Sequence, residues 1–126
     1  ARSVLPNHAP FKEAVQNVSH ASLFVTSLIT NQLSNLEVAL EDNLHVPYRK
    51  TLIPHCDKVF AAAKAAGAYG ATISGSGSTL IAYTDKAHVQ TVAEAMGQIF
   101  EFHGIENKVY VLEADTIGAT TIQNVV

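Results

Sequence analysis

Apolar residues recur every three or four positions in a long segment near the start of the chain. The segment opens with Pro10, a residue favoured in the first turn of a helix, and continues to about Thr30. This spacing predicts an amphipathic α-helix of about 20 residues with one continuous apolar stripe. The stripe comprises Ala14, Val15, Val18, Ala21, Val25, Leu28 and Ile29.

Three more helices follow from the same periodicity. Apolar residues from Leu33 to Asp42 predict a short second helix, and the Ala-rich run CDKVFAAAKAAGAYG predicts a third that stops at Gly67. Asp85 is a good N-cap for a fourth helix, which ends near Gly104. Between the second and third, the segment NLHVPYRKTLIPH carries two prolines and no helical stripe. We expect irregular backbone there. Loops of this length inside a compact domain usually take part in function.

Segments rich in β-branched and aromatic residues predict strands. Residues 71–74 and 79–84 are joined by GSGS and predict a hairpin, while 108–113 and 119–122 predict two more strands. The opening ARSVLP is typical of a strand or a linker. This order predicts an α+β fold, with a ferredoxin-like, mostly antiparallel sheet, helices on one face and extra helices inserted early. The two long amphipathic helices and the sheet are expected to bury the core.

Composition narrows the possible partners. With 126 residues, 48% of them apolar, the chain can bury a core of its own, so we expect a single domain over 1–126. Eight basic residues against 11 acidic ones argue against general binding to nucleic acid or to anionic membranes. Cys56 is the only cysteine, which suits a reducing cytoplasm, and no apolar run is long enough to span a bilayer. A small-molecule partner fits these features.

The two interpretations of the glycine-rich loop are a phosphate-binding loop and a plain hairpin turn. A phosphate-binding loop normally follows a strand and opens a helix, whereas here a strand follows and no Walker lysine is present. A hairpin turn in which Gly75 and Gly77 take positive φ is the simpler alternative. The six histidines show no metal-ligand spacing such as HExxH, so we expect no metal site.

Three segments carry a resemblance to a known family. NVSHASLFVTSL, LHVPYRKTLIPH and GAYGATISGSGSTLIAY, in this order, resemble the C-terminal half of the homoserine kinases, a family of the GHMP kinase superfamily. The resemblance implies that the glycine loop is the family's third motif, which lies against the phosphate loop and lines the site. Ser78 departs from the family, which usually has Pro there. The loop comprises Ser74, Gly75, Ser76, Gly77, Ser78 and Thr79.

The resemblance also implies a reaction, the transfer of the ATP γ-phosphoryl group to the side-chain hydroxyl of L-homoserine. The product, O-phospho-L-homoserine, lies on the route to threonine. By the same resemblance, ATP and Mg²⁺ are held mainly by an N-terminal domain that this chain does not contain. We therefore expect a fragment of a longer polypeptide that supplies the substrate-side half of the site, has no catalytic residue and is inactive alone. Association into a homodimer stays open.

Three residues are the candidates for binding the substrate. Arg49 lies in the matching PYR motif, and its guanidinium fork can bind both oxygens of the homoserine carboxylate. The family has a basic residue at the position of His20, facing the amino acid, and Asn17 lies on the same side of the helix. His45, just before VPYR, is a further candidate for lining the cleft.

Two other function classes stay open at this point. One is a GHMP kinase that acts on a different alcohol, and the other is a non-catalytic ferredoxin-like module that binds an amino acid.

Overall fold

The computed structural model describes residues 2–121, which contain five α-helices and a two-stranded antiparallel sheet. The α+β class predicted from the sequence is confirmed. None of the described helices is long and apolar enough to cross a membrane. The helices are α1 (Phe11–Ile29), α2 (Leu36–Ala39), α3 (Val46–Arg49), α4 (Cys56–Ala65) and α5 (Val89–Phe102), and the strands are β1 (Gly70–Ile73) and β2 (Leu80–Tyr83). Short 3-10 turns cover Arg2–Val4, Leu33–Asn35 and Lys50–Leu52.

The core lies where α4 packs between α5 and the sheet. Val59 and Ala63 have no exposed surface, and Cys56, one turn earlier on the same face of α4, is 3% exposed. Cys56 joins Ile53 and Ile73 in an apolar cluster beneath the end of β1. Burying a side chain such as Val59 contributes roughly 1.5 to 3 kcal/mol to the free energy of folding. The apolar stripe predicted for α4 therefore supplies much of the core.

The hairpin forms as predicted. β1 and β2 pair with Gly70 opposite Tyr83 and Ile73 opposite Leu80. α2 crosses β1 so closely that a Cβ on Gly70 would lie 2.8 Å from the carbonyl oxygen of Leu36. A side chain at position 70 would collide with α2, so glycine is what allows α2 to pack this closely against the sheet.

The segment 108–113 forms no strand, contrary to the sequence prediction. It runs along α5 instead, where the Val109 side chain lies 3.0 Å from the position that a Cβ on Gly97 would take. The amide of Asn107 donates to the Gly97 carbonyl oxygen, at 3.5 Å. A β-type sequence needs a neighbouring strand to form a ladder, and within residues 2–121 no strand edge pairs with this segment. The described sheet therefore has two strands, not the four of the ferredoxin-like order.

Other predicted elements also differ in the structure. The second helix divides into a 3-10 turn and α2, which ends at Ala39 rather than Asp42. The loop expected to be irregular contains α3, whose Pro47 fits the first helical turn, where no N–H is needed. The opening residues form a 3-10 turn, not a strand. The last predicted strand has no regular structure over 119–121, and residue 122 lies outside the described residues.

The apolar stripe of α1 faces solvent. Val18 is 69% exposed and Ile29 is 80% exposed, and Val15, Val25 and Leu28 are also exposed. Phe11, at the start of the helix, extends this surface. The expectation that α1 buries its stripe in the core of this chain is therefore wrong. Its opposite face, which is largely polar, turns inward.

We expect Cys56 to be unreactive in the folded chain. Burial raises the pKa of its thiol to about 11, so the nucleophilic thiolate is scarce at pH 8. Native protein should react with a thiol reagent at least about tenfold more slowly than protein unfolded in urea, which should release one thiol per chain. Rapid reaction of the native protein would contradict the packing of α4.

Candidate functional site

Arg49, the last residue of α3, reaches the glycine loop. Its Nη1 donates a hydrogen bond of 2.9 Å to the carbonyl oxygen of Gly75. Its Nε is closed to solvent and has no hydrogen-bond partner among residues 2–121. Because a guanidinium carries five N–H donors, the bond to Gly75 leaves others on the same fork for an anion. The structure thus brings together two features singled out in the sequence.

The glycine loop closes the hairpin and leads into a strand. The N–H of Ser74 donates to the Thr79 carbonyl oxygen at 2.8 Å, and the N–H of Gly77 donates to the Ser74 carbonyl oxygen at 3.2 Å. Gly75 and Gly77 have φ of +59° and +80°, as the hairpin interpretation predicted. Gly77 lies on the core, because a Cβ there would approach Ile53 Cδ1 to 3.1 Å. The same loop is therefore a tight turn and a contact of Arg49.

Asn17 and His20, on the inward face of α1, fasten the backbone that leads to α3. The side chain of Asn17 donates to the Asp42 carboxylate at 2.8 Å and accepts the N–H of Asn43 at 2.9 Å. His20 Nδ1 lies 2.8 Å from the Glu41 carbonyl oxygen. Since a carbonyl oxygen only accepts, Nδ1 carries the proton, and Nε2 is the ring nitrogen left for another partner. The substrate-binding role of both residues stays a prediction.

Asp42 is the centre of this network. One oxygen, Oδ1, accepts the N–H groups of Leu44, His45 and Val46 at 2.9, 2.6 and 3.0 Å. The other, Oδ2, accepts from Asn17, and His45 Nε2 lies 3.2 Å away. The carboxylate therefore caps the entrance to α3 and links it to α1.

The surroundings of Asp42 favour its ionised form. Partial burial acts to raise the pKa of its carboxyl, but the N–H groups of His45 and Val46, the Asn17 amide and the His45 ring together lower it below the usual value. His45 Nδ1 is closed to solvent and has no partner in the described part of the chain. His45 thus contacts Asp42 through Nε2 only, and its role in lining the cleft stays a prediction.

A cavity of about 290 Å³ lies between α2, α3, α4 and β1. It contains two lysines, but each is paired with a carboxylate: Lys50 with Asp57 at 2.9 Å and Lys64 with Glu37 at 2.7 Å. A carboxylate thus neutralises the charge of each lysine, so neither lysine is available to pair with a phosphate group. Among residues 2–121, no group of three or more His, Cys, Asp or Glu side chains could hold a metal ion.

The sequence analysis missed Asp42 as a site residue. The available signal was Asp-x-x-His followed by a proline at the second helical position, which is typical of a capped turn. The same Asp-x-x-His pattern stands just before α5, which begins at Val89 and not directly after Asp85 as predicted. Asp85 accepts the His88 N–H at 2.9 Å, and its carboxylate lies 2.8 Å from the His88 ring nitrogen. The pattern identifies a cap, but only the structure links Asp42 to Asn17.

The sequence of residues 24–101 matches the family described as GHMP kinases C terminal. This match covers more than half of the chain. The chain belongs to the GHMP kinase C-terminal family. The resemblance drawn from the LHVPYRKTLIPH and ISGSGST segments is therefore confirmed at the level of the family.

Individual relatives agree with this assignment. The chain is 46% identical over 120 residues to a homoserine kinase of Trichormus variabilis, covering 95% of this chain and 40% of the relative. It is 43% identical to a homoserine kinase of Pyrococcus furiosus, over 88% of this chain and 37% of the relative. The crystal structure of homoserine kinase from Cytophaga hutchinsonii superposes with a TM-score of 0.82 and 34% identity, covering 86% of this chain and 35% of that one. The chain thus spans 35% to 40% of the length of these relatives.

The two glycines of the loop should tolerate alanine to different degrees. Gly75→Ala places a Cβ in open space at positive φ and should cost about 1 kcal/mol of unfolding free energy. Gly77→Ala adds the contact with Ile53 and should cost roughly 2 kcal/mol or more. Urea unfolding of both variants measures the difference, and equal costs would contradict the packing of Gly77 on the core.

Proposed function

We propose that this chain is the substrate-side part of an ATP-dependent homoserine kinase. In the proposed reaction the γ-phosphoryl group of ATP passes to the side-chain hydroxyl of L-homoserine, giving O-phospho-L-homoserine for threonine biosynthesis. The observation that carries the proposal is the contact of Arg49 with the glycine loop at Gly75. It places a guanidinium with free donors beside the loop that the family resemblance assigns to the site.

Arg49 is the proposed anchor of the homoserine carboxylate. A carboxylate has two oxygens in one plane, and the guanidinium fork matches them with two parallel N–H donors. Fixing one end of a small substrate in this way orients its hydroxyl for attack on the phosphoryl group. His20 Nε2 and the Asn17 side chain are the proposed neighbours of the same amino acid, on α1.

ATP and Mg²⁺ are proposed to bind mainly to an N-terminal domain of the same polypeptide. Two facts support this division. The relatives are about two and a half times as long as this chain, since it covers 40% of the first of them. α1 also carries an exposed apolar stripe, with Val18 69% exposed, which another domain could cover. A cytoplasmic location fits a reaction that consumes ATP.

We expect Arg49→Lys in the full-length protein to weaken homoserine binding selectively. Lysine keeps the charge but lacks the fork, so KM for homoserine should rise by about tenfold or more, with KM for ATP nearly unchanged. The matched control is Arg2→Lys, a change at the only other arginine of the chain, which lies exposed in the first 3-10 turn. Equal effects of Arg49→Lys on both KM values would indicate a role in folding instead.

The 126-residue chain alone should have no kinase activity. Charged contacts in a half-site open to water are weak, and the groups that cradle ATP phosphates are proposed to lie elsewhere. Incubation with ATP, Mg²⁺ and homoserine should give no phosphohomoserine above background. Adding the separately produced N-terminal part should restore turnover. Sedimentation of the chain alone shows whether it self-associates. Turnover by the chain alone would refute the division into halves.

A further inference from the structure

We propose that Asp42 is a positioning residue for Arg49, fixing the turn that carries the guanidinium without touching the substrate. The inference rests on the proposed function, in which Arg49 binds the substrate carboxylate. It adds a residue that neither the PYR motif nor the glycine loop contains.

α3 cannot fix its own direction. It has four residues, and a single helical turn is not stable alone, because ordering its backbone costs more than its few hydrogen bonds return. The orientation of Arg49 at its end must therefore come from contacts outside the turn. One such contact, with the Gly75 carbonyl oxygen, holds the tip of the side chain.

Asp42 supplies the contact at the other end of the turn. Its Oδ1 binds three successive backbone N–H groups, those of Leu44, His45 and Val46. The carbonyl oxygen of His45 in turn accepts the N–H of Arg49 at 2.9 Å. His45 thus carries both a capped N–H and the carbonyl that binds the Arg49 N–H. A shift of the cap therefore moves the backbone of Arg49 and, with it, the guanidinium.

The long helix α1 is the fixed support of this arrangement. Asn17, in the first half of its 19 residues, binds Asp42 through its amide nitrogen and the Asn43 N–H through its amide oxygen. The Asp42 side chain is 17% exposed, so these bonds are largely shielded from competing water. Asp42 therefore connects α3 to an element that does not depend on α3 for its shape.

Asp42→Asn tests this connection with little change in size. Asparagine offers one acceptor oxygen in place of two and turns an NH₂ group towards N–H donors, so one side of the network is lost. Asp85→Asn is the matched control, because Asp85 also accepts the N–H of a histidine three residues later and contacts its ring. Asp85 lies just before α5, and its hydrogen bonds are to Tyr69 and His88 rather than to the turn that carries Arg49.

The experiment measures both KM values and the melting temperature of the full-length protein. Asp42→Asn should raise KM for homoserine by about tenfold and change KM for ATP by less than about twofold. Asp85→Asn should lower the melting temperature and leave both KM values unchanged. In an Arg49→Ala background, Asp42→Asn should raise KM for homoserine no further, because its effect passes through Arg49.

Several outcomes would overturn the inference. If Asp42→Asn lowers the melting temperature but leaves KM for homoserine unchanged, while Arg49→Ala raises it, Asp42 is a helix cap only. An additive effect in the Arg49→Ala background would likewise overturn the proposal. If Arg49→Ala itself leaves KM for homoserine unchanged, the proposed function fails at its own anchor.

Positioning can also be tested without activity. The NMR signal of the Arg49 Nε–H, assigned by its loss in Arg49→Lys, should shift or broaden in Asp42→Asn and stay in place in Asp85→Asn. An unmoved signal would overturn the inference whatever the substrate is. If Asp42→Asn does not fold, Asn17→Ala replaces it in the NMR measurement alone, since it removes one of the bonds to Asp42 and should give a smaller shift of the same signal. Its KM values are not used, because Asn17 is itself a proposed neighbour of the substrate.

Discussion

A single partly buried carboxylate, that of Asp42, joins the first helix to the turn that ends in Arg49. α1 meets the loop at 41–43 with polar side chains, while Phe24 contacts Tyr83 of the hairpin with ring centroids 5.5 Å apart. A hydrogen bond adds only about 1 kcal/mol of net stability, but its distance and angle are narrowly limited. This part of the molecule therefore gains defined geometry from its polar network rather than a large share of the folding energy.

Helical periodicity correctly predicted every long helix. It did not predict which part of the molecule covers the apolar face of each helix. α4 and α5 follow the usual rule, since most of their apolar stripes are buried or half-buried, with Val59 0% and Val92 3% exposed. α1 has an equally regular stripe that remains exposed. A spacing of three and four residues shows that one face will be covered, but not by which part of a molecule. The strand predicted at 108–113 failed for a related reason, since β-propensity does not provide the neighbouring strand that a ladder needs.

The candidate site was partly predictable from the sequence. The PYR and glycine-loop segments were found by resemblance, and the structure joins them through the bond from Arg49 to Gly75. The link between Asp42 and Asn17 was not accessible, because the two residues are 25 positions apart and the contact depends on how α1 lies across the loop. Asp-x-x-His occurs twice in the chain, so the pattern alone could not indicate which copy stands beside the candidate binding residue Arg49.

In the proposed role of Arg49, its guanidinium is shared between the glycine loop and an acid, and this sharing has a thermodynamic consequence. Nη1 donates to the glycine loop, and the acid would be held by other nitrogens of the same guanidinium. Both partners therefore restrict the same set of Arg49 side-chain rotamers. The entropy lost in ordering a long arginine side chain is then lost once for two interactions. Each partner lowers the cost of the other, and by linkage the two effects are equal in size. A loop with no direct contact to an acid would in this way become more ordered whenever the acid binds.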